Sequence, residues 1–154
     1  MPPDIAGALA AIEQRLRDNV TDVPLAFENT DPSDPTAFPP VDGSGAPAMW
    51  IYCETVDVGA AIDGFGKPGS QTVLETGLAK FYVMVAKGSG LDEARTKAAA
   101  IGEIYRQQVF YNSDPTAYVR TTTPRVGRDP MVSEDGATVA GACCTVPYEF
   151  YHQA

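Results

Sequence analysis

The segment Gln71–Ala86 reads Q-T-V-L-E-T-G-L-A-K-F-Y-V-M-V-A, and its pattern is central to the fold. Aromatic and β-branched residues are densest over Phe81–Val85, which predicts a buried strand. Sixteen residues is long for one strand, so Gly77 is expected to mark a bend or a bulge within it. Met49–Val56 predicts the preceding strand. The glycine-containing segment Asp57–Ser70 between them is expected to be a mobile connection at the tip of a long hairpin.

Two amphipathic helices are predicted outside this hairpin. The first is capped by Asp4 and ends where residues 19–22 break its apolar repeat. The second is predicted over Leu91–Phe110, with Ser89 or Gly90 as its cap. The first apolar stripe consists of Ile5, Leu9, Ile12 and Leu16, and small residues on the second helix are Ala98, Ala99, Ala100 and Gly102. The stripes predict helices docked on a sheet, because a membrane-surface helix would carry an excess of Lys and Arg.

Further strands are predicted on both sides of these elements. A short strand is expected over 24–29, followed by a long proline-rich loop over 29–47. Strands are also expected over Ala117–Thr123 and Thr138–Tyr151, separated by a polar loop at Arg125–Gly136.

The resulting element order is α, β, β, β, α, β, β, within one domain spanning residues 1–154. Neighbouring strands joined by loops favour a mostly antiparallel sheet of about five strands, with both helices packed on one face. The sequence therefore predicts an α+β fold with a long hairpin and a Pro-rich loop. Pro147 in the last strand predicts an edge position or a bulge, because proline cannot donate to a sheet ladder.

Charge is distributed unevenly along the chain. Residues 1–63 hold eleven acidic and two basic residues, whereas residues 64–154 hold nine of each. A net charge of −9 provides no counterion-release affinity for nucleic acid, which disfavours a specific DNA or RNA binder. No apolar run approaches the ~18 residues of a membrane span, and the N-terminus lacks the basic region of a signal peptide. A cytoplasmic location without membrane contact is therefore expected.

The sequence offers no catalytic or metal-binding pattern. Its cysteines are Cys53, Cys143 and Cys144, and its one histidine, His152, lies in what is expected to be a frayed C-terminal tail. A nucleophile–histidine pair would have to use that residue, and a structural zinc site needs about four Cys or His ligands. We therefore expect no enzymatic activity, no cofactor and no bound metal, and cysteines that are small, buried and reduced.

The tip of the predicted hairpin is a candidate assembly interface. Its sequence G-F-G-K-P-G, at 64–69, carries Phe65 and Lys67. This motif lacks the spacing of a phosphate-binding loop. An exposed aromatic side chain on such a loop commonly anchors a partner, and packing of Phe65 against its own sheet is the alternative.

Three arginines form a second candidate interface. Arg120, Arg125 and Arg128 are the only local basic group in the sequence. Contact with an acidic protein partner is one interpretation of this group. A solvated cluster of loop charges is the other.

A series of short motifs runs through nearly the whole chain. After the first helix come V-P-L-A-F-E-N (Val23–Asn29), the loop from Asp31-Pro32 to Pro39-Pro40, A-M-W-I-Y (Ala48–Tyr52), a Gly-rich hairpin, G-L-A-K-F-Y-V (Gly77–Val83), the second helix and T-V-P-Y-E-F (Thr145–Phe150). Their order and spacing resemble the tail terminator, or tail completion, proteins of long-tailed bacteriophages. One departure from the family pattern is that Leu74 and Glu75 stand before the glycine, where a basic residue is expected.

This resemblance implies a virion structural protein rather than an enzyme. Such a protein forms a closed ring, usually of six subunits, on the last ring of the tail tube. The ring stops polymerisation and provides the surface for the head-completion or neck protein, while DNA passes through without specific binding. The resemblance thus implies assembly in the host bacterial cytoplasm and a place at the tail–neck junction. Another virion ring protein, such as a head-completion or tail tube subunit, and a small ligand-binding or enzymatic α+β domain remain alternatives.

Overall fold

The computed structural model describes residues 3–28, 40–64, 66–128, 131–132 and 136–153. Phe65 and most of the proline-rich loop lie outside these ranges, so the expectations for them stay predictions. The helices are α1 (Ile5–Asn19) and α2 (Asp92–Tyr105). The strands are β1 (Leu25–Phe27), β2 (Trp50–Asp63), β3 (Thr72–Ala86), β4 (Val109–Phe110), β5 (Tyr118–Thr121), β6 (Arg125–Gly127) and β7 (Thr138–Gln153).

The strands form one sheet in the order β1-β2-β3-β7-β5-β4, and β6 pairs with β7 beside β5. Every pairing is antiparallel except that of β1 with β2. The predicted α+β class and the long hairpin, β2–β3, are confirmed. The strand number of about five is too low, because the short segments β4 and β6 also pair.

Both helices bury their apolar stripes against one side of this sheet, which we call the helix face. The amide of Gly7 donates to Asp4 Oδ1 at 2.8 Å, which confirms the predicted N-cap of α1. Ile12 and Leu16 are fully buried in the resulting core. The Tyr105 hydroxyl donates to the Ile12 carbonyl at 2.6 Å and ties α2 to α1. Among the described residues, neither helix is long and apolar enough to cross a membrane.

Helix α2 is shorter than its sequence pattern indicated. It ends at Tyr105, because Gln107 adopts a left-handed backbone conformation with φ of 49° and the chain then continues into β4. The predicted caps are also wrong. Leu91 occupies the N-cap position without a side-chain hydrogen bond, and the Ser89 hydroxyl donates to the Ala86 carbonyl instead.

The small residues of α2 serve close packing at two of the four predicted positions. Ala98 and Gly102 are buried, whereas Ala99 and Ala100 are exposed. A Cβ atom at Gly102 would lie 3.2 Å from the Pro124 side chain. The segment between β5 and β6 that contains Pro124 can therefore approach α2 this closely because Gly102 has no side chain.

Strand β7 alternates as its sequence predicted. Its helix-face residues are Ala142, Cys144, Val146, Tyr148 and Phe150, and all of them are buried in the core. The expected edge position of Pro147 is wrong, because β7 lies between β3 and the β5–β6 pair. The Pro147 carbonyl accepts from the Thr122 amide at 3.1 Å, at the junction where β5 gives way to β6. The ladder is irregular there, so the missing proline amide costs no regular hydrogen bond.

Gly77 was expected to mark a bend or a bulge within β3. The bulge lies on the facing strand instead, where the register shifts between Asp57 and Gly59. A Cβ atom at Gly77 would lie 2.3 Å from the Tyr148 hydroxyl and 2.6 Å from the Val56 carbonyl oxygen. The glycine is therefore required by the close approach of three strands.

We predict that Leu16→Ala destabilises the protein by ~2–5 kcal/mol, because it leaves a cavity beneath α1. Gln14→Ala, on the exposed side of the same helix, is the control and should change stability by less than ~0.5 kcal/mol. Urea denaturation followed by circular dichroism measures both values. Equal losses in the two variants would contradict the burial of Leu16.

We predict that Gly77→Ala destabilises the sheet by ~1–3 kcal/mol or more, because the added methyl group meets backbone that cannot move aside. Gly59→Ala, in the same hairpin, is the matched control, since nothing lies within 4 Å of a Cβ atom there. Thermal unfolding of both variants tests this difference. A Gly77→Ala protein as stable as Gly59→Ala would show that Tyr148 and β2 do not constrain this position.

Candidate assembly interface

The outer half of β2 has no neighbouring strand on one side. Strand β1 pairs only with Ile51–Cys53, and the Thr55 amide donates to Glu28 Oε2 at 3.2 Å. Beyond this point β2 pairs with β3 alone, so among the described residues its outer edge has no backbone partner. We call residues 56–63 the β2 extension. The predicted mobile connection over Asp57–Ser70 is therefore wrong for residues 57–63, because the long β3 provides a partner for them.

The β2 extension is exposed along its whole length and includes apolar side chains. Val58 is 67% exposed and Ile62 is 61% exposed, and Val56 is also exposed. The bulge between Asp57 and Gly59 leaves Val58 without an opposite residue on β3. Bulges strengthen the local twist of a strand and commonly occur at sheet edges. Among the described residues, this edge therefore combines apolar surface with backbone groups that have no partner strand.

The hairpin tip connects the β2 extension to β3. Gly64 and Gly69 both adopt positive φ angles, and the Ser70 amide donates to the Lys67 carbonyl at 2.9 Å to close the turn. Lys67 is exposed. It forms no ion pair within the part of the chain that the structure describes. Lys67 thus lies between β2 and β3, two strands away from the predicted arginine group.

The three arginines of the predicted basic group have different environments. Arg120 lies on β5 and not in a loop, and its guanidinium forms a cross-strand ion pair with Glu149. This hydrogen-bonded carboxylate raises the pKa of Arg120 above its ordinary value. The Arg120 guanidinium also lies 5.6 Å from the centre of the Tyr151 ring, which stacks on Tyr118. Its charge is therefore compensated within its own chain.

Arg125 and Arg128 lie together on an edge of the sheet. The segment was predicted to be a polar loop, but residues 125–127 form β6 and pair with residues 143–145 of β7. The two arginines, with Val126, Gly127, Cys143 and Thr145, line an open groove of about 260 Å³. Within the described ranges neither arginine forms an ion pair. We call residues 125–128 the β6 edge.

The side of the sheet opposite the helices, which we call the open face, carries a second apolar cluster that sequence analysis did not identify. It contains Tyr82, Met84, Ala140 and Cys143, with Trp50, Tyr52 and Met131 packed against it. The Tyr82 hydroxyl donates to Glu54 Oε1 at 2.8 Å. The alternation of Trp50 and Tyr52 with buried core residues was the available signal, since both point away from the helices.

His152 lies in strand β7. The expectation that it belongs to a frayed tail is therefore wrong. His152 pairs with Val73 of β3, and its Nε2 atom lies 2.8 Å from Glu75 Oε1. Its ring stacks on Phe150 at a centroid distance of 4.7 Å. Among the described residues, no group of three or more His, Cys, Asp or Glu side chains could hold a metal ion. The expected absence of enzymatic activity and of a cofactor remains a prediction.

All three cysteines are buried and none of them forms a disulfide within the described residues, as predicted. Burial raises the pKa of the Cys53 thiol far above its ordinary value and raises that of Cys144 to about 12. A thiol in such surroundings stays protonated near neutral pH, and the protonated form is a poor nucleophile. Cys53 and Cys144 therefore behave chemically as small apolar side chains.

Comparisons with known proteins address the fold. No protein-family model matches this chain, and no curated protein matches it. A solved structure is similar over 98% of this chain and 96% of its own length, with a TM-score of 0.59 and 18% sequence identity. At this identity the likeness concerns the fold alone. It supports the architecture and leaves the function to be inferred from the residues themselves.

We predict that Cys53 and Cys144 do not react with a thiol reagent at pH 8 in the folded protein. Their raised pKa values keep them protonated there, and their burial excludes the reagent. The measurement uses Cys143→Ser, so that the colour change reports these two thiols alone, and repeats it in urea as the control for full reactivity. Rapid labelling without urea would contradict the buried environment.

Proposed function

We propose that this protein is a virion structural protein of the tail terminator type. Six copies form a ring at the end of the finished tail tube, stop its polymerisation and present a surface to the head-completion or neck protein. Neither catalysis nor a cofactor is involved. Assembly takes place in the host cytoplasm, and the ring remains at the tail–neck junction of the virion.

The observation that carries this proposal is the unsatisfied edge of the sheet. The β2 extension exposes apolar side chains, and among the described residues its outer backbone edge has no partner, on a domain whose core is otherwise well packed. Exposed strand edges of this kind are ordinarily protected in proteins that remain monomeric. The resemblance of the motif order to tail terminators provides the identity of the assembly, since the edge alone indicates only that a partner is required.

The charge of the chain supports passage of DNA through such a ring. The protein has a net charge of −9, and the acidic excess falls in residues 1–63. An acidic surface does not gain affinity from release of DNA counterions. DNA can therefore move past it without being retained.

Electron microscopy of the purified protein, alone and with the tail tube protein of its own virus, tests the proposal. We expect closed rings and tubes whose growth stops when the ring is added. Filaments formed by this protein alone would favour the tail tube alternative. Protein that neither forms rings nor binds tube ends would exclude the terminator function.

A matched pair of variants connects this test to the exposed edge. Ile62 on the β2 extension is 61% exposed and Val109 on β4 is 51% exposed, so neither side chain is needed for the core. We predict that Ile62→Asp abolishes tube capping, because it places an unpaired charge on an apolar contact. Val109→Asp should cap tubes like the original protein. Equal capping by both variants would exclude the β2 extension from the mechanism.

A further inference from the structure

Within the described part of the chain, two stretches at opposite sides of the sheet have no neighbouring strand on their outer side, and these two edges are complementary. The β2 extension lies on one side, and the β6 edge lies on the other, separated from it by β3 and β7. Strands β1 and β4 are also at the margin, but they are three and two residues long. Because opposite edges of one sheet can join only head to tail, a contact between them would be heterologous, and repeated contacts of that kind close into a ring or continue as a filament.

The strand directions are compatible with such a contact. Strand β2 is antiparallel to β3, β3 to β7, and β7 to β6, so β6 runs antiparallel to β2 within one chain. A neighbouring copy placed beside the sheet in the same orientation would therefore bring its β6 antiparallel to β2. Antiparallel ladders are the slightly more stable pairing. The contact would continue the sheet without reversing a strand.

The two edges lie at different heights along the strands. Across the sheet, β6 pairs with Cys144, which pairs with Phe81, which pairs with Cys53, so the β6 edge is at the height of Cys53 on β2. The β2 extension is at the height of residues 72–78 of β3 and the C-terminal end of β7. The offset along the strands is about five to six residues, or ~18 Å. Across four strands, spanning ~19 Å, this offset inclines the strands by ~45° to a ring axis. A sheet that closes on itself needs strand tilts of about this size.

The charges of the two edges are opposite. Asp57 and Asp63 lie on the β2 extension, which has no basic residue, and the segment 120–128 has no acidic residue. Arg125 and Arg128 have no ion-pair partner in the described part of their own chain, and they line an open groove beside β7. Val126 in this segment is 45% exposed and can meet the exposed valines of β2. Complementary charge of this kind sets partner choice and orientation.

We propose that the β2 extension of one copy of this chain pairs with the β6 edge of a second copy. Asp57 and Asp63 would lie near Arg125 and Arg128 of that copy, and the apolar side chains would be covered by the joined strands. This inference rests on the proposed ring and specifies the two surfaces that form it. The occupant of each free edge is the opposite edge of another copy.

Two double variants, each of which reverses the charge of one edge, test this pairing. The first is Arg125→Asp with Arg128→Asp, and the second is Asp57→Arg with Asp63→Arg. Each alone should remain monomeric by native mass spectrometry under conditions where the unaltered protein assembles, because both of its edges carry like charge. A mixture of the two should assemble again, with the variants alternating, because every contact then joins opposite charges. Assembly of either variant alone, or no assembly of the mixture, would overturn the proposal.

Controls separate this result from misfolding. Arg95→Asp with Lys87→Asp makes the same charge change at two exposed residues away from both edges, and this protein should assemble normally. Circular dichroism checks that each variant keeps its fold. If the second variant is misfolded because Asp57 accepts a hydrogen bond from Tyr148, Val58→Lys with Asp63→Arg replaces it, and the same mixing outcome is required.

Hydrogen exchange distinguishes backbone pairing from contact between side chains alone. Amides of residues 56–63 and 125–128 should exchange more slowly in the assembled protein than in either separate variant. Unchanged exchange at both edges would overturn strand pairing. The proposal would also be overturned if the unaltered protein were monomeric.

The tube-capping assay distinguishes the two proposals. Edge-dependent rings that fail to cap tubes would reject the terminator function and support the pairing. Capping by a protein whose assembly is insensitive to all four charge reversals would support the function and reject the pairing.

Discussion

Strand β3 pairs with β7 along its whole length, from Thr72 opposite Gln153 to Ala86 opposite Thr138, and this ladder positions the other elements. It brings residues far apart in the chain into one buried row, in which Phe81 and Cys144 lie opposite each other beneath the helices. Long-range pairing of this kind has a large loop-closure cost that the buried apolar area must offset. The contact of Gly77 with Tyr148 shows how closely the central strands approach.

The exposed edges follow from differences in strand length around this ladder. Strands β2, β3 and β7 are 14, 15 and 16 residues long, whereas every other strand has four residues or fewer. Short flanking strands cannot cover long central ones. Part of β2 is therefore left beyond β1, and the outer side of β7 is divided between β5 and β6 with an irregular junction at Pro147.

The sequence predicted the elements whose apolar period is regular and whose partners lie on a buried face. The stripe of α1 and the alternation in β7 are confirmed because burial at Leu16 and Phe150 is encoded by local spacing. The β2 extension was mistaken for a loop, since Gly59, Ala60 and Ala61 have little strand propensity and its pairing is provided by β3. Strand β6 was missed for a related reason, because Arg125–Gly127 has no periodicity and acquires its conformation from β7. The candidate residues Arg125 and Arg128 were thus identified by charge, while their place on an edge needed the topology.

An exposed strand edge can be protected by charge or can pair with another chain. The β2 extension and the β6 edge have the features expected of edges that pair. Protection ordinarily relies on lysines, prolines or inward-pointing charges along the edge, and a bulge can also turn an edge away. The β2 extension has a bulge and two aspartates but no lysine or proline, and it leaves Val58 and Ile62 largely exposed. The β2 extensions of two copies would repel each other through Asp57 and Asp63, so these aspartates could explain why that edge does not pair with itself. They do not explain why the opposite edge carries two arginines without partners among the described residues, whereas joining of the two edges accounts for both.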